Sequence, residues 1–178
     1  MNKIFSAIFL TGFIFAANIC SAEPVRICDY GVDGFVNRYN QIAREPSVNY
    51  DIAIKERPQN FGSIDVNGKT YVVYMVGCGS EGSGIILNFM TTPDGYISRI
   101  LIFLKKTSEV AKTAGAVNAA ALIAAGMSPK EVLDFLEVLG KNNFNAYYWS
   151  SSLQRYIICE LDESNNEVAC VRMSAAVK

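Results

Sequence analysis

Apolar positions change period along this chain, and the changes mark out its elements. From Gly31 to Ala43 they fall at Val32, Phe35, Val36, Tyr39 and Ile42. That spacing predicts a short amphipathic helix, ended before Pro46. Asn49 to Glu56 alternates, with Tyr50, Ile52 and Ile54 on one side, and predicts a strand. Phe61 to Val66 and Lys69 to Val76 follow, joined by Asn67-Gly68, residues that tolerate the positive φ of a tight hairpin turn. Ser83 to Thr92 and Tyr96 to Leu104 flank a second turn, Pro93-Asp94-Gly95. Consecutive strands with short links predict an antiparallel meander.

The period then returns to helical. Thr107 or Ser108 caps a helix through Ala125, and Gly126 stops it. Ser128-Pro129-Lys130-Glu131 reads as a capping box with proline at the first helical position. The helix it opens carries Val132, Phe135, Leu136 and Leu139 on one face and ends at Gly140. Residues 114–125 are apolar nearly all round, which places that helix in a core. It lacks the basic polar face of a helix that lies on a membrane surface. Asn145 to Ser151, Tyr156 to Leu161 and Glu167 to Met173 return to strand patterning.

The order is one helix, five strands, two helices and three strands. It predicts an α+β fold: an antiparallel meander sheet, a short N-terminal helix, a central two-helix segment packed on the sheet, and a C-terminal hairpin. Ile85, Leu87 and Phe89 oppose Ile86 and Met90, and Ile100, Ile102 and Leu104 oppose Ile97, Leu101 and Phe103. Both sheet faces are therefore apolar, where a half-solvated antiparallel sheet alternates more cleanly. The first helix and the C-terminal hairpin are the expected cover of the second face; a homodimer or an apolar ligand are the external alternatives.

The first residues change the compartment. Met1-Asn2-Lys3, an apolar run from Ile4 to Ala17, and Cys20-Ser21-Ala22 have the order of a secretory signal peptide. The run is shorter than the about 20 residues a bilayer-spanning helix needs. The bulky Ile19 before Cys20 is unlike a lipoprotein processing site. The reading is a signal peptide over residues 1–22, cleaved after Ala22, and a single α+β domain over residues 23–178. The protein is then periplasmic or secreted, with no membrane span after cleavage.

Composition narrows the chemistry further. The formal net charge is −1 at pH 7, which offers no electrostatic footprint for nucleic acid. Beyond Cys20 the cysteines are Cys28, Cys78, Cys159 and Cys170, an even set that in an exported chain reads as disulfides. A hairpin centred between Ser164 and Asn165 sets Cys159 opposite Cys170, within reach of a bridge. Cys28 then pairs with Cys78 by elimination.

There is no histidine, so Ser-His and Cys-His pairs are excluded. A Ser-Lys pair is conceivable, but no S-x-x-K string occurs. Residues 77–82 match G-x-G-x-x-G, but a strand follows where dinucleotide binding needs a helix. Asp29 with Asp33, and Glu131 with Asp134, share helical spacings and read as solvated acids at helix starts. Asp162, Glu163 and Glu167 crowd a turn without the glycine and spacing of a calcium loop. No catalytic, cofactor or metal residue is assigned.

Tyr147-Tyr148-Trp149 is the densest aromatic cluster, with Tyr147 and Trp149 on one side of a strand. Aromatic anchors are enriched at binding interfaces. Tyr147 and Trp149 are thus the partner-binding candidates. The functional expectation is a non-enzymatic protein-binding module, such as an inhibitor, an immunity-type protein or an envelope accessory protein. Its partner would be another protein of the cell envelope or outside the cell. The alternatives are a carrier of a small apolar ligand held against the sheet, and a hydrolase that works with carboxylates alone.

Overall fold

A computed structural model describes residues 25–66 and 68–177. The leader expected over residues 1–22 and Asn67 of the first turn lie outside the described residues. The chain is α+β, with three helices and a seven-stranded antiparallel sheet among those residues. In chain order the elements are α1 (Val32–Ala43), β1 (Gln59–Val66), β2 (Lys69–Gly77), β3 (Ile85–Thr91), β4 (Ile97–Lys105), α2 (Ser108–Ala125), α3 (Pro129–Lys141), β5 (Ala146–Ser150), β6 (Arg155–Asp162) and β7 (Val168–Ala176).

The sheet order is β1-β2-β3-β4-β7-β6-β5. Strands β1 to β4 form the expected meander. The two helices then carry the chain across, and β5 to β7 meander back so that β7 pairs with β4. The C-terminal hairpin is therefore part of the sheet. It does not cover the second face, as the sequence led us to expect.

Local signals account for the helix ends. The Thr107 hydroxyl accepts from the Val110 amide, and Gly126 closes α2 at φ 119°, a left-handed conformation suited to glycine. Ser128 and Glu131 form the reciprocal capping box, with Pro129 opening α3. Helix α3 runs one residue past Gly140, to Lys141.

The helices lie on one face of the sheet. Phe35 of α1 meets Phe89 of β3 edge-on at 5.1 Å, and Phe135 of α3 stacks on Tyr148 of β5 at 5.3 Å. Between them α2 buries Val117, Ala120, Ala121 and Leu122. Its alanines let the backbone approach Ile100, Ile102 and Leu104 of β4, which share that core.

The segment from Asn49 to Glu56 is not a strand. Ile52 and Ile54 are buried as their alternation requires, but Tyr50 is exposed. The Asn40 side chain takes the place of a pairing strand: its amide donates to the Ile54 carbonyl at 2.8 Å and its oxygen accepts from the Ile54 amide at 2.7 Å. Gly79 N–H donates to the Ala53 carbonyl at 2.9 Å. Gly79 has φ 79°, and a Cβ there would collide with the Asp51 carbonyl oxygen, so the close approach requires glycine.

All four described cysteines are free, which corrects both expected bridges. On the β6–β7 hairpin Cys159 pairs with Met173 and Cys170 with Asp162, a register three residues from the expected one. An odd displacement turns side chains to opposite faces. Cys159 points into the helix-side core, and Cys170 packs with Phe103 on the other face. The displacement comes from a longer loop. The Asn165 side chain accepts from the amides of Glu167 and Val168, and Lys106 N–H donates to the Glu167 carbonyl.

Cys28 and Cys78 lie at opposite ends of β3. Ile27 N–H bonds the carbonyl of Ile97, the partner of Thr91, whereas Cys78 N–H bonds the carbonyl of Ile85. The strand from Ile85 to Thr91 spans about 20 Å, several times the Cα separation a disulfide allows. Arg155 does what the bridge was expected to do: it donates to the Arg26 carbonyl at 2.5 Å and to Asp29 at 3.1 Å, tying the N-terminal segment to β6.

Candidate functional site

The face of the sheet away from α1, α2 and α3 carries the partner-binding candidates. Register fixes its composition. Ile64 pairs with Tyr71, Asn88 with Met75 and Leu101, and Phe103 with Ile86 and Cys170. Tyr71, Met90 and Leu101 are buried there, with Ile64, Val66 and Phe103 packed around them. Asn88 is also buried, and neither amide atom has a hydrogen-bond partner among the described residues. No described helix packs on this face.

Toward β5 the same face becomes aromatic. Tyr147 is paired with Ile158, and Trp149 with Tyr156. The Tyr156 ring meets Trp149 edge-on at 5.1 Å and Tyr147 at 6.0 Å, so the three form one ladder. Tyr147 is 73% exposed, the highest value among the described large apolar side chains that stand exposed. Tyr148 points the other way, onto Phe135. The alternation read from the sequence thus sends Tyr148 to the helix side and Tyr147 and Trp149 to the other face. Tyr156 is a member that sequence reasoning missed, because register across two strands brings it in.

Strand β5 is also an edge of the sheet. The other edge, β1, is interrupted by a bulge between Asn60 and Ser63, contains Gly62 at φ 93°, and carries Asp65. Such devices discourage another strand from pairing. Ala146-Tyr147-Tyr148-Trp149-Ser150 has no charge, no proline and no bulge.

The turn after β5 is tied to α3 through Glu131. This carboxylate accepts from the Ser128 amide and hydroxyl, each at 2.9 Å, from the Ser152 amide at 3.1 Å, and from the Ser152 hydroxyl at 2.5 Å. Partial burial alone would raise its pKa; the hydrogen bonds from Ser152 and Ser128 outweigh it and bring the group down to about 2. It is a structural anion at a helix start, the role read from its spacing.

The other acids singled out by their spacing are paired. Asp29 meets Arg155 at 3.1 Å, Asp33 meets Arg57 at 3.8 Å, and Asp134 meets Lys130 at 2.6 Å. Among the described residues no three metal-ligating side chains come together. Ser80, Lys55 and Asp51 do converge. Lys55 Nζ donates to Asp51 at 2.8 Å and to Ser80 Oγ at 3.4 Å, and Ser80 donates to Asp51 at 2.5 Å. The lysine acts as donor to a carboxylate that these bonds hold below its ordinary pKa. Both Lys55 and Ser80 are engaged by Asp51, so the trio is an ion pair bridged by a hydroxyl.

A cleft of about 510 Å³ opens at the start of α1, lined by residues including Gly31, Asp33, Arg57, Asn60 and Tyr74. Its lining mixes polar and apolar groups in about equal measure, and the Asp33–Arg57 ion pair stands within it. Burial disfavours thiolate at the four described cysteines: it pushes the thiol of Cys28 up to about 11 and those of Cys78 and Cys170 up to about 12, and raises that of Cys159 as well. The Tyr39 hydroxyl sits beside Cys78 and favours its thiolate slightly, though without hydrogen-bond geometry.

No family model, curated protein or solved structure matches the chain.

Proposed function

We propose that this chain is an exported, non-enzymatic protein-binding module, periplasmic or secreted, that docks another protein through the Tyr147/Trp149 face. One observation carries the reading: an aromatic ladder, with Tyr147 exposed and Trp149 and Tyr156 half-buried beside it, stands on an uncharged edge strand, braced from behind by Phe135 against Tyr148. Rigid aromatic side chains contribute large contact area at low entropic cost. Paired acids and protonated thiols elsewhere favour binding over catalysis. The apolar-carrier alternative draws no support from the cleft at α1. The hydrolase alternative draws none from Asp29, Asp33 and Asp134, which face Arg155, Arg57 and Lys130, nor from Glu131, which Ser128 and Ser152 hold.

The test is affinity capture of the exported protein from envelope extract. One partner should be enriched reproducibly. Its recovery should fall about tenfold or more with Trp149→Ala and Tyr147→Ala, the loss of a strong interface anchor, while the circular dichroism spectrum is unchanged. Equal recovery by the variants would remove the aromatic face from the argument.

A further inference from the structure

We infer that β5 is a self-pairing edge, and that its occupant is the β5 strand of a second copy of this chain. The inference rests on the docking reading for its location and adds the partner and the geometry.

Antiparallel pairing about a two-fold axis through Tyr148 sets Tyr147 of one copy opposite Trp149 of the other, and the reverse. Directly opposed residues share a face. Both aromatic pairs would therefore fall beside Tyr156 on the side away from the helices, extending the ladder across the junction. Cross-strand aromatic pairs stabilise sheets, whereas like charges directly opposite destabilise them. Self-pairing places any charged residue near its own copy. A strand without charge is the kind that pairs with itself at no electrostatic cost, and Ala146–Ser150 is such a strand. The β1 edge fails the same test through its bulge and Asp65.

The product is an isologous dimer with one continuous sheet through both copies. A five-residue junction with two aromatic pairs lies toward the small end of specific interfaces. Association should therefore be weak and visible as a concentration dependence, with Kd on the order of tens of micromolar.

The experiment is sedimentation equilibrium of the exported protein from about 1 µM to 1 mM, with hydrogen exchange read at both ends of that range. The expected result is a monomer–dimer equilibrium, with amide protection rising with concentration in residues 146–150. Tyr147→Lys, at an exposed position, should weaken dimerisation at least tenfold while the circular dichroism spectrum of the monomer is unchanged. A monomer throughout overturns the inference, as does a dimer indifferent to Tyr147→Lys. Protection of β5 only when a different protein is added also overturns it, while leaving the docking reading standing. Loss of partner capture with dimerisation intact would do the reverse.

Discussion

Single side chains close this structure at points where chain pairing does not. Glu131 is the clearest case. Its two oxygens gather donors from Ser128 and Ser152, so one carboxylate caps α3 and holds the turn beyond β5. Its pKa falls from 4.5 to about 2 on folding. A depressed carboxylate contributes stability that is fully present above its unfolded pKa and is lost as pH falls through the folded value. The Glu131 contribution should accordingly decline between about pH 4.5 and pH 2. Glu131→Gln should cost about 1–2 kcal/mol near neutrality and flatten that part of the acid limb. Urea midpoints measured from pH 7 to pH 2 on both proteins decide it; parallel curves would mean the carboxylate charge is immaterial. Asn40 has a comparable role, since both its amide atoms serve the backbone of Ile54. Asn40→Ala leaves a buried N–H and C=O unpaired and should cost about 2–3 kcal/mol in urea unfolding. Asn40→Asp should not restore it, because a carboxylate repels the Ile54 carbonyl that the amide served.

Elements were legible where a local rule is strong. The capping box at Ser128, the hydroxyl of Thr107, the Gly126 stop and the turn at 93–95 all act within a few residues, and all stand where the sequence put them. What the sequence could not supply was whatever depends on a distant partner. Asn49 to Glu56 alternates like a strand because Ile52 and Ile54 are buried, yet alternation reports burial, and here a side chain took the pairing role. The β6–β7 register escaped because Asn165 and Lys106 hold open a loop that a shorter turn would have closed. That displacement moved Cys170 away from Cys159. Of the candidate site, Tyr147 and Trp149 could be read from alternation, while Tyr156 could not, since it joins them across β6. The tight approach of the residue 77–82 loop to Asp51 was equally hidden, although its glycines were conspicuous. Gly79→Ala should cost about 1–3 kcal/mol, because it adds a side chain at positive φ against a carbonyl. Gly82→Ala has the same φ but open space around it and should cost less. Comparing the two in thermal melts separates the collision from the backbone term.

For the molecule as a whole, the free cysteines separate two ideas that the sequence had joined. Oxidative stapling drops out of the account of cohesion, while the leader reading stands on its own residues. Cohesion comes instead from a helix-backed core that runs from Ile27 to Met173, and from Arg155 clamping the N-terminal segment to β6. Protonated thiols buried in that core are poor nucleophiles, since reaction proceeds through the thiolate. With pKa values of about 11 and about 12 at Cys28 and Cys78, thiolate at pH 7 is roughly one part in ten thousand or less. The thermal midpoint should therefore be the same with and without a reductant. An aromatic disulfide reagent should label the native protein at Cys28, Cys78 and Cys159 only as fast as the fold opens, should reach half-buried Cys170 sooner, and should label all four at once in denaturant. A midpoint that drops by about 5 °C or more on reduction, the mark of a lost bridge worth a kcal/mol or more, would reinstate a disulfide. A Cys159–Cys170 bridge would also require β6 to slip against β7, turning Met173 out of the core, and mass mapping of the linked peptides would identify the pair.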